Sequence, residues 1–156
     1  MSNSPALGDW LARLGEILGM QGLALDAHGS CAFTIDDSVD IVIEASAGDD
    51  MLYLYAPMLR LGPNEPESLY EDLLKRNYPG RESGGAVFAI NQRDAQIVLC
   101  LSCPLDMLDE TGFFVLMKDF IETATHWWEH FNAPGLAHDE STEGPPPPGI
   151  DPRLLV

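Results

Sequence analysis

Apolar and polar residues alternate through Cys31, Phe33 and Ile35 and again through Val39, Ile41 and Ile43, with Asp36, Asp37 and Ser38 between the two runs. Alternation with a period of two marks a strand that buries one face. A run of Asp and Ser favours a turn over a ladder. Residues 23–44 therefore read as strand, acidic turn and strand. Upstream, Leu7, Trp10, Leu11, Leu14, Ile17 and Leu18 recur at helical spacing, with Asp9, Arg13 and Glu16 opposite them. Ser4 and Pro5 suit the start of that helix, and Gly19 and Gly22 its end.

The remaining elements follow from the same patterns. Residues 51–58 are apolar on both faces, with Leu52 and Leu54 on one and Tyr53 and Tyr55 on the other, which predicts a central or interface strand. Residues 65–78 form a second amphipathic helix with Leu69, Tyr70, Leu73 and Leu74 on its stripe and Pro79-Gly80 after it. Residues 86–90 and 96–101 flank the turn Asn91-Gln92-Arg93-Asp94 as a second hairpin. A long helix from about Asp106 to Phe131 then carries Phe113, Phe114, Met117, Phe120, Ala124, Trp127 and Trp128. The order α-β-β-β-α-β-β-α predicts an α+β domain, a twisted antiparallel sheet flanked by helices. From Asn132 the chain turns to Gly, Pro, His and acids, including Pro145, Pro146, Pro147 and Pro148. This divides it into a domain over 1–131 and a flexible acidic, Pro-rich tail over 132–156.

Composition narrows the partners. With 156 residues the chain suits one core. Its 25 acidic against 8 basic residues give a net charge of -17, which repels phosphate backbones and anionic lipid. Neither nucleic-acid binding nor membrane insertion is expected, and a cationic or polar partner is. No run at the N-terminus has the form of an export signal, and none approaches a membrane span. The 3 cysteines, Cys31, Cys100 and Cys103, sit in or beside apolar runs, as reduced buried thiols do. A cytoplasmic location is the expectation.

Four patterns resemble chemical sites, and each has a plainer structural reading. His126, Glu129 and His130 match the H-x-x-E-H pattern of a zinc hydrolase. Such a centre needs a third ligand and a cleft, and the ordered domain is expected to end just afterwards. Cys100 and Cys103 form a C-x-x-C before a helix, but no βαβ unit precedes it. Asp36, Asp37, Asp40 and Glu44 lack the spacing of a calcium loop and suit a solvated hairpin. The glycines between residues 80 and 85 lead into a strand and lack the Lys-Ser/Thr of a phosphate loop. The expectation is a binding protein with no catalytic residues, metal or cofactor. Its first helix, third strand and last helix offer more apolar surface than an open sheet readily buries, which predicts a homodimer with a docking surface.

The order of elements and the pattern Leu23-x-Leu25-Asp26-x-x-Gly29-x-Cys31-x-Phe33-x-Ile35-Asp36 resemble the class I type III secretion chaperones, the Tir-chaperone-like family. That resemblance implies a non-enzymatic bacterial cytoplasmic homodimer. Such a dimer holds the N-terminal segment of a secreted effector extended for delivery to the secretion ATPase. It implies dimer contacts at Tyr70, Leu73, Leu74, Tyr78, Val87, Phe88 and Ile90, and effector contacts at Trp10, Leu14, Phe33, Ile35, Ile41 and Ile43. About half of the latter set should prove to be core, because a strand exposes alternate residues. A regulator that sequesters a transcriptional control protein of the secretion system would use the same surface. The Pro-rich tail departs from the compact pattern of the family.

Overall fold

The computed structural model describes residues 4–45, 48 and 50–133, without the side chains of Ser4 and Pro5. Of the expected tail, residues 134–156 lie outside the described residues. In chain order the elements are α1 (Ser4–Leu18), β1 (Ser30–Ile35), β2 (Val39–Ala45), β3 (Met51–Arg60), α2 (Glu67–Arg76), β4 (Val87–Asn91), β5 (Gln96–Pro104), a short 3-10 turn (Leu105–Met107) and α3 (Glu110–Asn132). The strands form one antiparallel sheet in the order β1-β2-β3-β5-β4. The α+β architecture read from the sequence is the one observed.

Two boundaries differ from the expectation, each for a local reason. β1 begins at Ser30 instead of Leu23, because Asp26 closes a turn ahead of it. The Asp26 carboxylate accepts from the N–H groups of His28 and Ser30, and its carbonyl accepts from Gly29. These bonds, Ser30 first, hold its carboxyl below the usual aspartate range. α3 begins at Glu110 instead of Asp106, because Asp109 is its N-cap, with Oδ1 accepting from the Gly112 N–H at 2.7 Å. Gly112 thus lies in the capped first turn.

The core lies between one face of the sheet and two helices. Cross-strand partners place Phe33 opposite Ile41, Ile43 opposite Leu54, Leu54 opposite Leu101, and Leu99 opposite Phe88. α3 covers this face with Phe113, Met117, Phe120, Ala124 and Trp127, and α1 adds Leu7, Leu11 and Leu14; all eight are buried. Trp10 tilts against Phe113 with centroids 5.5 Å apart, and Arg13 pairs with Glu110, so the two helices are also joined directly.

α2 is fastened by a cation. The Arg76 guanidinium stacks over the Trp127 indole, 4.6 Å from its centroid. Nε donates to Asp72 at 2.8 Å and Nη1 to Glu82 at 3.2 Å, so one buried side chain ties α2, the following loop and α3 together. A desolvated guanidinium is tolerable there because carboxylates and an aromatic face replace its water. His130 packs edge-on against the same indole at 5.3 Å. Burial, and then the charge of Arg76, push its pKa below the ordinary 6.5, against a smaller opposing pull from Asp72.

Two outcomes follow. Gly29 has φ +79°, and a Cβ there would sit 2.7 Å from the Ala45 carbonyl oxygen. Gly29→Ala should therefore cost about 2 kcal/mol, seen as a lower urea midpoint at unchanged m-value. Because the folded pKa of His130 is depressed, its neutral form contributes stability fully above the unfolded value and loses it as pH falls through the folded value. His130→Gln should lose less stability than the parent chain between pH 7 and 5 in parallel denaturant titrations. Identical pH slopes would refute the assignment.

Candidate functional site

A five-stranded open sheet has two edges, and this chain treats them differently. In β1 the Ala45 N–H bonds the Gly29 carbonyl, which makes Ser30–Glu44 a non-hydrogen-bonded pair and, by alternation, Ala32–Val42 and Thr34–Asp40 as well. The backbone groups of Ser30, Ala32 and Thr34 thus face away from the sheet. Those of Ser30 are taken by Asp26, whose N–H donates to the Ser30 carbonyl at 2.7 Å and whose carboxylate accepts from its N–H at 3.0 Å. Ala32 and Thr34 are exposed and present the open part of the edge, with the Thr34 hydroxyl donating to Asp40 on the side.

The β4 edge is closed from within at Phe88, while Ile90, two residues on, also turns its backbone groups outward by the same alternation. The Asn77 amide acts as a one-residue strand: Oδ1 accepts from the Phe88 N–H at 2.7 Å and Nδ2 donates to the Phe88 carbonyl at 3.0 Å. Just before β4, the Ala86 N–H donates to the Ser83 carbonyl, and the Ser83 hydroxyl donates back to the Ala86 carbonyl. Beside this blunted edge lies an apolar patch. Leu74 is 70% exposed, Tyr78 85%, Val87 44% and Ile90 48%.

Of the residues proposed from sequence for dimer contacts, Leu74, Tyr78, Val87 and Ile90 form this patch, Tyr70 is partly exposed, and Leu73 and Phe88 are buried in the chain's own core. Of those proposed for effector contacts, Leu14, Phe33, Ile41 and Ile43 are buried under α1 and α3, while Trp10 and Ile35 remain partly exposed. The reason is the pleat, which sends odd-numbered residues of β1 and β2 to the helix side. Residues that sequence reasoning missed are Asn77, Ser83 and Arg76. Their roles depend on partners 11, 3 and 51 positions away, and no local pattern announces them.

The second face of the sheet is apolar along its middle. Ala32, Val42, Tyr55, Cys100 and Val87 form one row across all five strands, and the rings of Tyr53 and Tyr55 stack at 6.4 Å and 3°. Burial, with the nearby Glu44 carboxylate second, pushes the Tyr55 phenol up.

The chemistry-like motifs resolve into packing. His126 and His130 both lean on the Trp127 ring, at 5.2 and 5.3 Å. Among the described residues, no group of three or more His, Cys, Asp or Glu is placed to hold a metal ion. Cys100 pairs with Tyr55 and Cys103 with Leu52, so the two thiols point to opposite faces of the sheet and cannot act as one redox pair. All three free thiols are pushed up by burial, the reverse of an activated nucleophile. Asp36 and Asp37 occupy left-handed turn positions, φ 49° and 56°. Among the described residues, no helix is long and apolar enough to cross a membrane.

What remains is a partly open sheet edge and an exposed apolar patch, and known proteins share the frame that carries them. A chain of the ExsC-ExsE complex superposes with TM-score 0.69 at 18% identity, over 84% of this chain and 97% of that one. The HopA1-SchA chaperone-effector complex gives 0.59 at 19%, over 78% and 91%. The Yersinia pestis type III secretion chaperone SycH, in complex with a fragment of YscM2, gives 0.55 at 18%, over 77% and 98%. At such identities the likeness establishes the fold. No curated protein sequence matches the chain. Residues 9–128, however, match the Tir chaperone protein (CesT) family, and the chain belongs to that family.

Proposed function

We propose that the chain is a type III secretion chaperone that binds the N-terminal segment of a secreted effector in extended form, as a homodimer and without catalysis. The observation that carries this reading is the asymmetry of the sheet. The β1 edge is open at Ala32 and Thr34, whereas the β4 edge is capped at its start, at Ala86 and Phe88, by Ser83 and Asn77 and is bordered by exposed apolar side chains. An open edge accepts a strand through its backbone groups. A capped edge with an apolar rim is suited to side-chain packing against a second copy, with Leu74, Tyr78, Val87 and Ile90 as the contacts and Tyr70 at the margin.

A client strand on β1 would place alternate side chains on the helix side, near Ile35, and on the other side near Ala32, Thr34 and Asp40. Membership of a chaperone family and the likeness to chains solved in chaperone complexes support the choice of client. The client is held extended because a strand on an edge cannot fold on itself, which suits delivery to a secretion ATPase from the bacterial cytoplasm. A net charge of -17 would speed capture of a basic segment, an effect that salt weakens.

Co-expression with the protein encoded beside it should yield a complex in which limited proteolysis spares one extended client segment. Ala32→Pro removes an outward N–H and no ladder bond, so the fold should survive. Client affinity should fall roughly ten- to hundredfold by titration calorimetry, the loss of about 1–3 kcal/mol. Unchanged affinity would remove β1 as the site. Leu74→Asp, felt twice across a two-fold interface, should weaken dimerisation by about two orders of magnitude in sedimentation experiments. A chain that is monomeric before substitution would refute the dimer.

A further inference from the structure

The described helices leave the second sheet face open. The helices pack against the opposite face, and α2 docks beside β4. This leaves Val42, Tyr55 and Cys100 partly exposed in a row across the middle of the sheet. Parallel stacked tyrosines beside aliphatic side chains are the kind of surface on which proline-rich segments lie, because proline rings pack flat on aromatic faces and the segment brings few N–H groups that need partners.

The chain supplies such a segment. Residues 144–150 read Gly-Pro-Pro-Pro-Pro-Gly-Ile and carry no charge in a protein of net charge -17, so this stretch can approach an acidic surface without repulsion. Consecutive prolines preset the extended left-handed helix, which lowers the entropy cost of docking. The point of departure is favourable too. Asn132 at the end of α3 donates from Nδ2 to the Met58 carbonyl at 2.9 Å, next to Pro57, whose cross-strand partner Val98 belongs to the second face. The 13 residues from Ala133 to Pro145 reach about 40 Å, against roughly 19 Å between the outer strands. Tethering makes the effective concentration of the segment high, so a weak intrinsic affinity suffices.

We propose that the Val42, Tyr55 and Cys100 face of the sheet is an intramolecular docking surface for the proline segment at residues 144–150. The segment shields the face from non-specific association while β1 stays open. This is independent of the client-binding reading.

Cys100 lies in the centre of the row and is a native reporter. Thiol labelling of the full chain, resolved by site in a mass spectrometer, should be severalfold faster at Cys100 when Pro145, Pro146, Pro147 and Pro148 are all replaced by Ser. Labelling at Cys31 should be unchanged, and the NMR resonances of Val42 and Tyr55 should shift. A synthetic peptide of residues 142–152 added to that variant should slow Cys100 again. Equal Cys100 rates with unmoved Val42 and Tyr55 resonances overturn the proposal. A parent rate that falls with protein concentration also overturns it, by assigning the face to a second copy. No client enters the measurement, so its failure and failure of the chaperone reading are distinguishable.

Discussion

A five-stranded antiparallel sheet can hide one face beneath a long helix, but that packing leaves a second face and two edges with their backbone groups unpaired. Everything characteristic of this protein is a response to that constraint. The covered face is filled by Phe113, Met117, Phe120, Ala124 and Trp127 of α3 over Ile41, Ile43, Leu52, Leu54 and Leu99, with α1 completing the layer. Its burial fixes the register of every strand, because a slip of one residue would exchange the two faces. Once register is set, the direction of each outward N–H and C=O on β1 and β4 is set too.

The two edges therefore differ in how their outward backbone groups are met. At β4 the chain spends Asn77 and Ser83 on satisfying outward groups, which limits strand pairing there and leaves side-chain packing as the mode of contact. At β1 only Ser30 is satisfied, by Asp26. The Arg76 stack on Trp127 belongs to the same scheme. It holds the end of α2 against α3, and the next residue is Asn77, which must reach Phe88. A cation in that position couples the closure of one edge to the packing of the core.

The electrostatics are consistent with this division. Acids outnumber bases, and two of the paired cations join elements: Arg13 to Glu110 between α1 and α3, and Arg76 between α2, its loop and α3. Lys75 and Lys118 make i,i+4 pairs within their own helices, worth little for tertiary structure. A surplus of negative charge of this size repels anionic molecules and attracts cationic ones over long range.

The amino-acid sequence by itself determined the elements and their order, because periodicities of two and 3.6 are local and survive without any knowledge of neighbours. The alternation at Cys31, Phe33, Val39, Ile41 and Ile43 identified the hairpin and its buried side, and the resemblance drawn from it named the family. The start of β1 was misplaced because the Asp26 turn competes with strand pairing through side-chain bonds that periodicity does not encode. The candidate contacts were legible as a mixed set of core and surface residues. Only the tertiary structure separated Leu74, Tyr78, Val87 and Ile90 from Leu73 and Phe88, and Trp10 and Ile35 from Leu14, Phe33, Ile41 and Ile43. The physical reason is that apolar character is a property of a residue, whereas exposure, the openness of an edge and the alignment of Val42, Tyr55 and Cys100 across strands are properties of pairs distant in the chain.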